Sequence, residues 1–264
     1  MDLFQMTVGD GPLVAAAIHN GHALRSQVAE LASLTEPERL REEDPYTDVL
    51  ADVAPTLIVG SRSRFEVDLN RPRDESVYAT PEESWGLQVW REPLPASVVD
   101  ESHQLHDLFY GTVGGLLRQL VATHGRAIVL DVHTYNHRRN GPKAPASNED
   151  ENPDVNIGVG SMDRQYWAPI VDGLIAGLRA CEIDGRPLDV RENVRFQGGH
   201  FPRWIHREFP RQVCAPAIEF KKTFMNEWTG DADHPHLVKL RDALRATTPE
   251  LLHQLETLKE TRSR

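Results

Sequence analysis

Along the chain, short apolar runs alternate with longer stretches in which apolar positions recur every three or four residues, a pattern that belongs to an α/β sheet rather than a sandwich. The runs at 13–18, 56–61, 65–69, 127–132, 155–159 and 213–220 predict strands. Between Ser102 and Gly125, the residues Leu105, Leu108, Phe109, Val113, Leu116, Leu117, Leu120 and Val121 fall on one helical face, with Ser as the start signal and Gly as the stop. A second helix is predicted within 163–180, with Pro169 near its start. From 237 to 258 the pattern predicts two helices, because Thr248-Pro249-Glu250 reads as a fresh cap with Pro at the first helical position. Two stretches, 71–92 and 136–154, show neither period and are rich in Pro, Asn and charge. Loops of that length inside a compact domain are usually functional or disordered. No repeat, linker or composition break divides the chain, so residues 1–264 are read as one domain.

Composition narrows the function classes. A chain of 264 residues can bury a core without disulfides or a structural metal. With 29 basic and 40 acidic residues the net charge is −11, which argues against a nucleic-acid binder or a basic membrane-surface protein. No apolar run reaches the roughly 18 residues of a membrane span. The first residues carry an acid where a secretory signal would carry positive charge, so the mature protein is read as starting there and as cytoplasmic. The two cysteines, Cys181 and Cys214, have no CxxC spacing, which fits a reducing compartment and excludes a four-thiolate zinc site. Any zinc would have to be held by imidazole and carboxylate, and the chain has 12 His.

Several strand ends carry chemically useful residues. The first run leads into His19-Asn20-Gly21-His22, the fourth into His133-Thr134-Tyr135, the third into Asn70-Arg71, and the last reaches Glu219. Ligands of open α/β sheets bind beyond the carboxyl ends of strands. A lone His there is more often structural, and a lone carboxylate is more often a salt-bridge partner. Two imidazoles and a carboxylate together are the donor types of a mononuclear hydrolytic zinc site.

Three ordered motifs sharpen this reading: Phe65-Glu-Val-Asp-Leu-Asn-Arg-Pro72, Asp131-Val-His-Thr134 and Ala217-Ile-Glu-Phe-Lys-Lys-Thr-Phe-Met-Asn-Glu227. Together they resemble the N-formylglutamate amidohydrolase family, related to zinc carboxypeptidases and aspartoacylases, and the resemblance spans roughly 19–227. It implies a mixed, mostly parallel sheet flanked by helices, zinc-carboxypeptidase-like (phosphorylase/hydrolase-like), and a metal-dependent amidohydrolase. By the same resemblance His19, Asp44 and His133 are the metal ligands. Asp44 comes from the match Asp44-Pro-Tyr-Thr-Asp48-Val-Leu50, with Glu43 and His22 as competitors for the middle position. An acidic helix start explains Asp44 and Asp48 as well. Glu219 matches the general base and acid, and Arg64 an arginine beside the developing oxyanion. Asn70 and Arg71 resemble a clamp for the substrate carboxylate, which a guanidinium grips in a bidentate fork. Gly198-Gly199-His200-Phe-Pro-Arg203 is similar to a family loop in which Arg203 adds a second anion contact and His200 stands where Tyr is usual. Lys221-Lys222 read as a solvated basic stretch.

The implied activity is zinc-dependent hydrolysis of a small acidic N-acyl amino acid, by default N-formyl-L-glutamate to formate and L-glutamate, with another divalent ion as an alternative cofactor. Two further readings stay open: a metallo-carboxypeptidase or deacylase with a larger pocket walled by residues 136–154, and a non-catalytic protein that binds an acidic metabolite. No nucleic-acid or membrane partner is expected.

Overall fold

The computed structural model describes residues 2–260. Its strands are β1 (Phe4–Thr7), β2 (Leu13–Ala17), β3 (Thr56–Gly60), β4 (Ala127–Tyr135), β5 (Val155–Gly158), β6 (Glu182–Ile183), β7 (Arg186–Pro187), β8 (Val190–Glu192), β9 (Val213–Cys214) and β10 (Ala217–Lys221). Its α-helices are α1 (Ser26–Leu31), α2 (Glu36–Glu42), α3 (Thr47–Leu50), α4 (Ala96–His124), α5 (Ala168–Arg179), α6 (His200–Glu208) and α7 (His234–Glu260). The main sheet is 8-stranded in the order β1-β3-β2-β4-β10-β5-β8, with β9 also on β4. Its centre, β3-β2-β4-β10, is parallel, while β1 joins β3 and β5 joins β10 antiparallel. β6 and β7 form a separate hairpin. This is the α/β sheet that the alternation pointed to, mixed and mostly parallel as the resemblance implied.

β2 is LVAAA with every residue buried. Side chains alternate across a strand, and here both faces are covered. Leu13, Ala15 and Ala17 join one core with α5 and α7, while Val14, Ala16 and Ile18 join another with α4 and α6. The small alanines let both helical layers approach the central strand. Among the described residues no helix is long and apolar enough to cross a membrane.

The structure corrects the sequence reading in four places. The run 65–69 is a series of turns rather than a strand, with Glu66 N bonded to Ser63 O and Asp68 N to Ser76 O. The alternation there misleads because Glu66 and Asp68 are as buried as their apolar neighbours. Their carboxylates receive side chains instead: Arg25 and Arg62 at Glu66, His19 and Arg64 at Asp68. The segment 213–220 is two strands, broken at Ala215-Pro216 because Pro has no N–H for the ladder. α4 begins at Ala96 with Pro95 at its cap, well before the Ser102 start signal, and Ser102 is buried inside it. The carboxy-terminal segment is one helix, with Pro249 inside it. Pro249 cannot bond the carbonyl of Arg245 four residues back, but the Thr248 hydroxyl donates to that oxygen at 2.9 Å. The local side-chain bond gives that carbonyl a partner, offsetting part of the loss, and the helix runs on.

Candidate active site

The carboxyl ends of β2, β4 and β10 converge on one cavity of about 340 Å³, lined among others by His19, Asp44, Arg64, Asn70, His133 and Glu219. His19 follows β2 in a turn that needs Gly21, because a Cβ at that position would meet the Ser61 carbonyl carbon at 2.3 Å. Asp44 is tied to the same turn through its backbone N–H, which donates to His19 O at 3.0 Å. His133 lies near the end of β4, and Glu219 is its direct partner in the parallel β4–β10 pair, so both point to one face.

Potential ligand atoms of His19, Asp44 and His133 all lie within 4.8 Å of one another, and all three residues are buried. Asp44 Oδ2 is 2.9 Å from His133 Nδ1 and 3.6 Å from His19 Nδ1. Among the described residues, His19 Nδ1 has no hydrogen-bond partner despite its burial. The opposite nitrogens are each backed by a carboxylate, His19 Nε2 by Asp68 at 2.8 Å and His133 Nε2 by Asp131 at 3.0 Å. Asp131 reaches its histidine because residues two apart on a strand share a face. Thr134 Oγ1 donates to the other Asp44 oxygen at 3.1 Å. The two competitors for the middle position are elsewhere: Glu43 binds Ser63 and His22, and His22 is partly exposed.

Electrostatics follow from this packing. Burial would raise the Asp44 carboxyl, but the His133 hydrogen bond and the fields of His133 and His19 hold it well below the usual carboxylate range. Burial would lower His133, but Asp131 and Asp44 hold it well above its ordinary value. Asp68 is held low against burial by Arg64 and His19. Glu219 goes the other way. Burial, with the nearby Asp44 and Asp131 charges, pushes it up to about 7 although His133 and Arg64 pull it down.

Arg64 donates to Asp68 Oδ2 at 2.7 Å and to Tyr78 at 3.1 Å, and lies under the Trp85 ring at 4.8 Å. Asn70 approaches His133 Nε2 at 3.4 Å, and its Oδ1 accepts the Phe201 N–H that opens α6. Gly199 packs against it so closely that a Cβ would fall 2.2 Å from the Asn70 side chain. Two of the resemblance-based residues are not brought to the cavity. Arg71 lies over Tyr78 and donates to the Glu83 carbonyl, and Arg203 donates to Gly199 O from an exposed position on α6. Within segment 198–203 the helix starts at His200, Gly198 and Gly199 stay irregular and line the cavity, and His200 packs on Tyr110 outside it. Lys221 and Lys222 are buried, not solvated. Lys222 Nζ donates to the carbonyls of Arg41 and Glu43, both at 2.7 Å, pinning the segment that carries Asp44 to the end of β10.

Sequence reasoning missed the cations that do line the cavity, Arg139 and Arg195, because they sit in irregular segments without a motif. It also left Asp68 and Asp131 without roles. The spacing of Asp131, two residues before His133 on β4, was a usable signal, whereas Asp68 and His19 are 49 residues apart.

Two imidazoles and a carboxylate around an unpartnered nitrogen, with a further glutamate alongside, are the residue set of hydrolytic metal centres. The chain matches the N-formylglutamate amidohydrolase family over residues 11–225 and belongs to that family. Relatives include the N-formylglutamate deformylase of Pseudomonas aeruginosa, 28% identical over 264 residues that cover 94% of this chain and 93% of the relative. That of Pseudomonas putida is 25% identical over 257 residues, covering 89% and 91%. Among solved structures, an N-formylglutamate amidohydrolase from Ralstonia eutropha superposes with a TM-score of 0.76 at 17% identity, covering 99% of this chain and all 100% of that one. A gene product of Agrobacterium tumefaciens gives 0.67 at 16% identity, covering 98% and 97%. At these identities the two structural likenesses speak for the fold.

Proposed function

We propose that the protein hydrolyses the amide of a small acidic N-acyl amino acid, with N-formyl-L-glutamate as the substrate and formate and L-glutamate as the products. The observation that carries this reading is the meeting of His19, Asp44 and His133 in one buried group, with Glu219 in register beside His133 at the cavity. The names of the relatives support the substrate class.

His19 Nδ1, His133 Nδ1 and the Asp44 carboxylate would hold a divalent cation, zinc by the character of the donors. The unpartnered His19 Nδ1 and the carboxylates behind both imidazoles fit that use, since metal-binding histidines usually donate their second N–H to such a group. A cation there supplies Lewis acidity and acidifies water. Glu219 takes the proton of the attacking water as the oxygen bonds to the acyl carbon. The same carboxyl then delivers it to the nitrogen as the C–N bond breaks. An acid near pH 7 serves in both directions. Arg64, fixed by Asp68 and Tyr78, places positive charge near the centre where the oxyanion develops.

The test is metal content and formate release from N-formylglutamate in purified wild type and His133→Ala. Wild type is expected to carry a divalent metal and to release formate, and the variant to lose both. Equal metal and equal turnover in the variant would refute the assignment. Faster turnover of N-acetyl amino acids or acidic dipeptides would replace the formyl substrate, and binding of N-formylglutamate without turnover would replace catalysis.

A further inference from the structure

The cavity wall contains four cations, and three are already engaged. Arg64 is paired with Asp68, Arg139 lies 3.3 Å from Glu42, and Lys222 is bound to two carbonyls. Arg195 is different. It is exposed at the mouth, lies 5.9 Å from the Tyr135 ring and 5.6 Å from the Phe196 ring, and makes no ion pair among the described residues.

Its placement is nevertheless fixed from below. Asn156, fully buried on β5, accepts the Arg195 N–H at 2.9 Å and the Phe196 N–H at 3.4 Å through Oδ1, and donates from Nδ2 to Phe196 O at 2.9 Å. In the β5–β10 pair Asn156 lies directly opposite Glu219, so the strand that carries the proposed base also fixes the strand that positions the arginine. A buried amide spending three bonds on one loop holds that loop in one geometry. The two aromatic rings limit where the guanidinium can swing.

We infer that Arg195 is the specificity-determining residue that grips the side-chain carboxylate of the substrate, whereas the resemblance had implied a carboxylate clamp at Arg71 with Asn70. The inference rests on the amidohydrolase reading. In that reading the scissile amide must sit against Glu219 and the His-Asp-His group at the cavity floor. The carboxylate one carbon from the amide nitrogen therefore stays deep, near Arg64 and Asn70. A second carboxylate several bonds farther out reaches the mouth, where Arg195 presents an unpaired fork matched to it.

The experiment compares kcat/KM for N-formylglutamate and N-formylglutamine, which differ only in the outer charge, in wild type, Arg195→Gln and Arg139→Gln. Wild type is expected to prefer the glutamate substrate. Arg195→Gln should reduce that preference by about tenfold to a hundredfold, mainly through KM, as loss of a charge-assisted contact does. Arg139→Gln should leave the ratio within about threefold. Continued turnover of N-formylglutamine reports that the Arg195 variant is folded, and Arg195→Lys should give an intermediate ratio. An unchanged preference in Arg195→Gln, a wild type that does not discriminate, or collapse of the ratio in Arg139→Gln instead would each overturn the inference while leaving the activity established. Hydrolysis of neither substrate by wild type would overturn the amidohydrolase reading and this inference with it.

Discussion

Replacing Glu219 by glutamine should make the protein a much poorer enzyme and, without metal, a more stable fold. The side chain is partly buried between His133 and the cavity, and that burial pushes its carboxyl from 4.5 up to about 7. The sign of the stability effect follows from proton counting. Between about pH 4.5 and 7 the folded protein retains a proton that the unfolded chain has released, so stability falls as pH rises through that window. Below it both states are protonated and the group contributes nothing. Above it the cost is constant. At about 1.4 kcal/mol per pKa unit, and allowing for partial exposure to the cavity, the ionised carboxylate costs the metal-free fold about 2–3 kcal/mol. Glutamine keeps the shape and removes the charge. In chelator-treated protein the variant should match wild type near pH 4.5 and unfold roughly 4–12 °C higher above pH 7. Its formate release with metal supplied should fall by about 10²–10⁴, the usual contribution of a positioned proton carrier. In loaded wild type the acid limb of the rate profile should inflect at or below about pH 7, because a nearby cation favours the ionised form. A variant within tenfold of wild-type activity, or a thermal gap that does not widen with pH, would refute the reasoning.

Two other perturbations probe parts of the structure that support the site. Asp131→Asn removes the carboxylate behind His133 but keeps its size, and is expected to weaken metal binding about 10- to 100-fold in a competition titration while the fold is retained. Unchanged affinity would show that Asp131 does not act through the imidazole. Pro249→Ala restores the helical bond to the Arg245 carbonyl at an exposed position and is expected to add about 1–3 kcal/mol in denaturant unfolding. A neutral result would mean that the Thr248 hydroxyl already compensates fully.

How far the sequence carried depended on whether the signal was local. The buried central strands were legible because covered parallel strands are apolar without interruption, as in LVAAA and AIVLDV. His19, His133 and Glu219 were legible as candidates because they lie just after or near the ends of those strands. The segment 65–69 was misread since a buried carboxylate looks polar in sequence, and only its distant partners Arg25 and His19 reveal that Glu66 and Asp68 belong inside. Helices α1, α2 and α3 are each too short to develop a periodic signal.

By itself, the order of residues determined an α/β sheet, a thiol-poor chain and a set of imidazole and carboxylate candidates at strand ends. Tertiary structure decided which of them meet. It put Asp44 rather than Glu43 or His22 between the two histidines, because one backbone bond to His19 and a buried Lys222 fix that segment. It also turned Arg71 toward Tyr78 and left Arg195 facing the cavity. Asp44 and His133 are 89 residues apart in the chain and Lys222 and Glu43 179, and a charge's destination is set by what the fold has already neutralised, which no local pattern records.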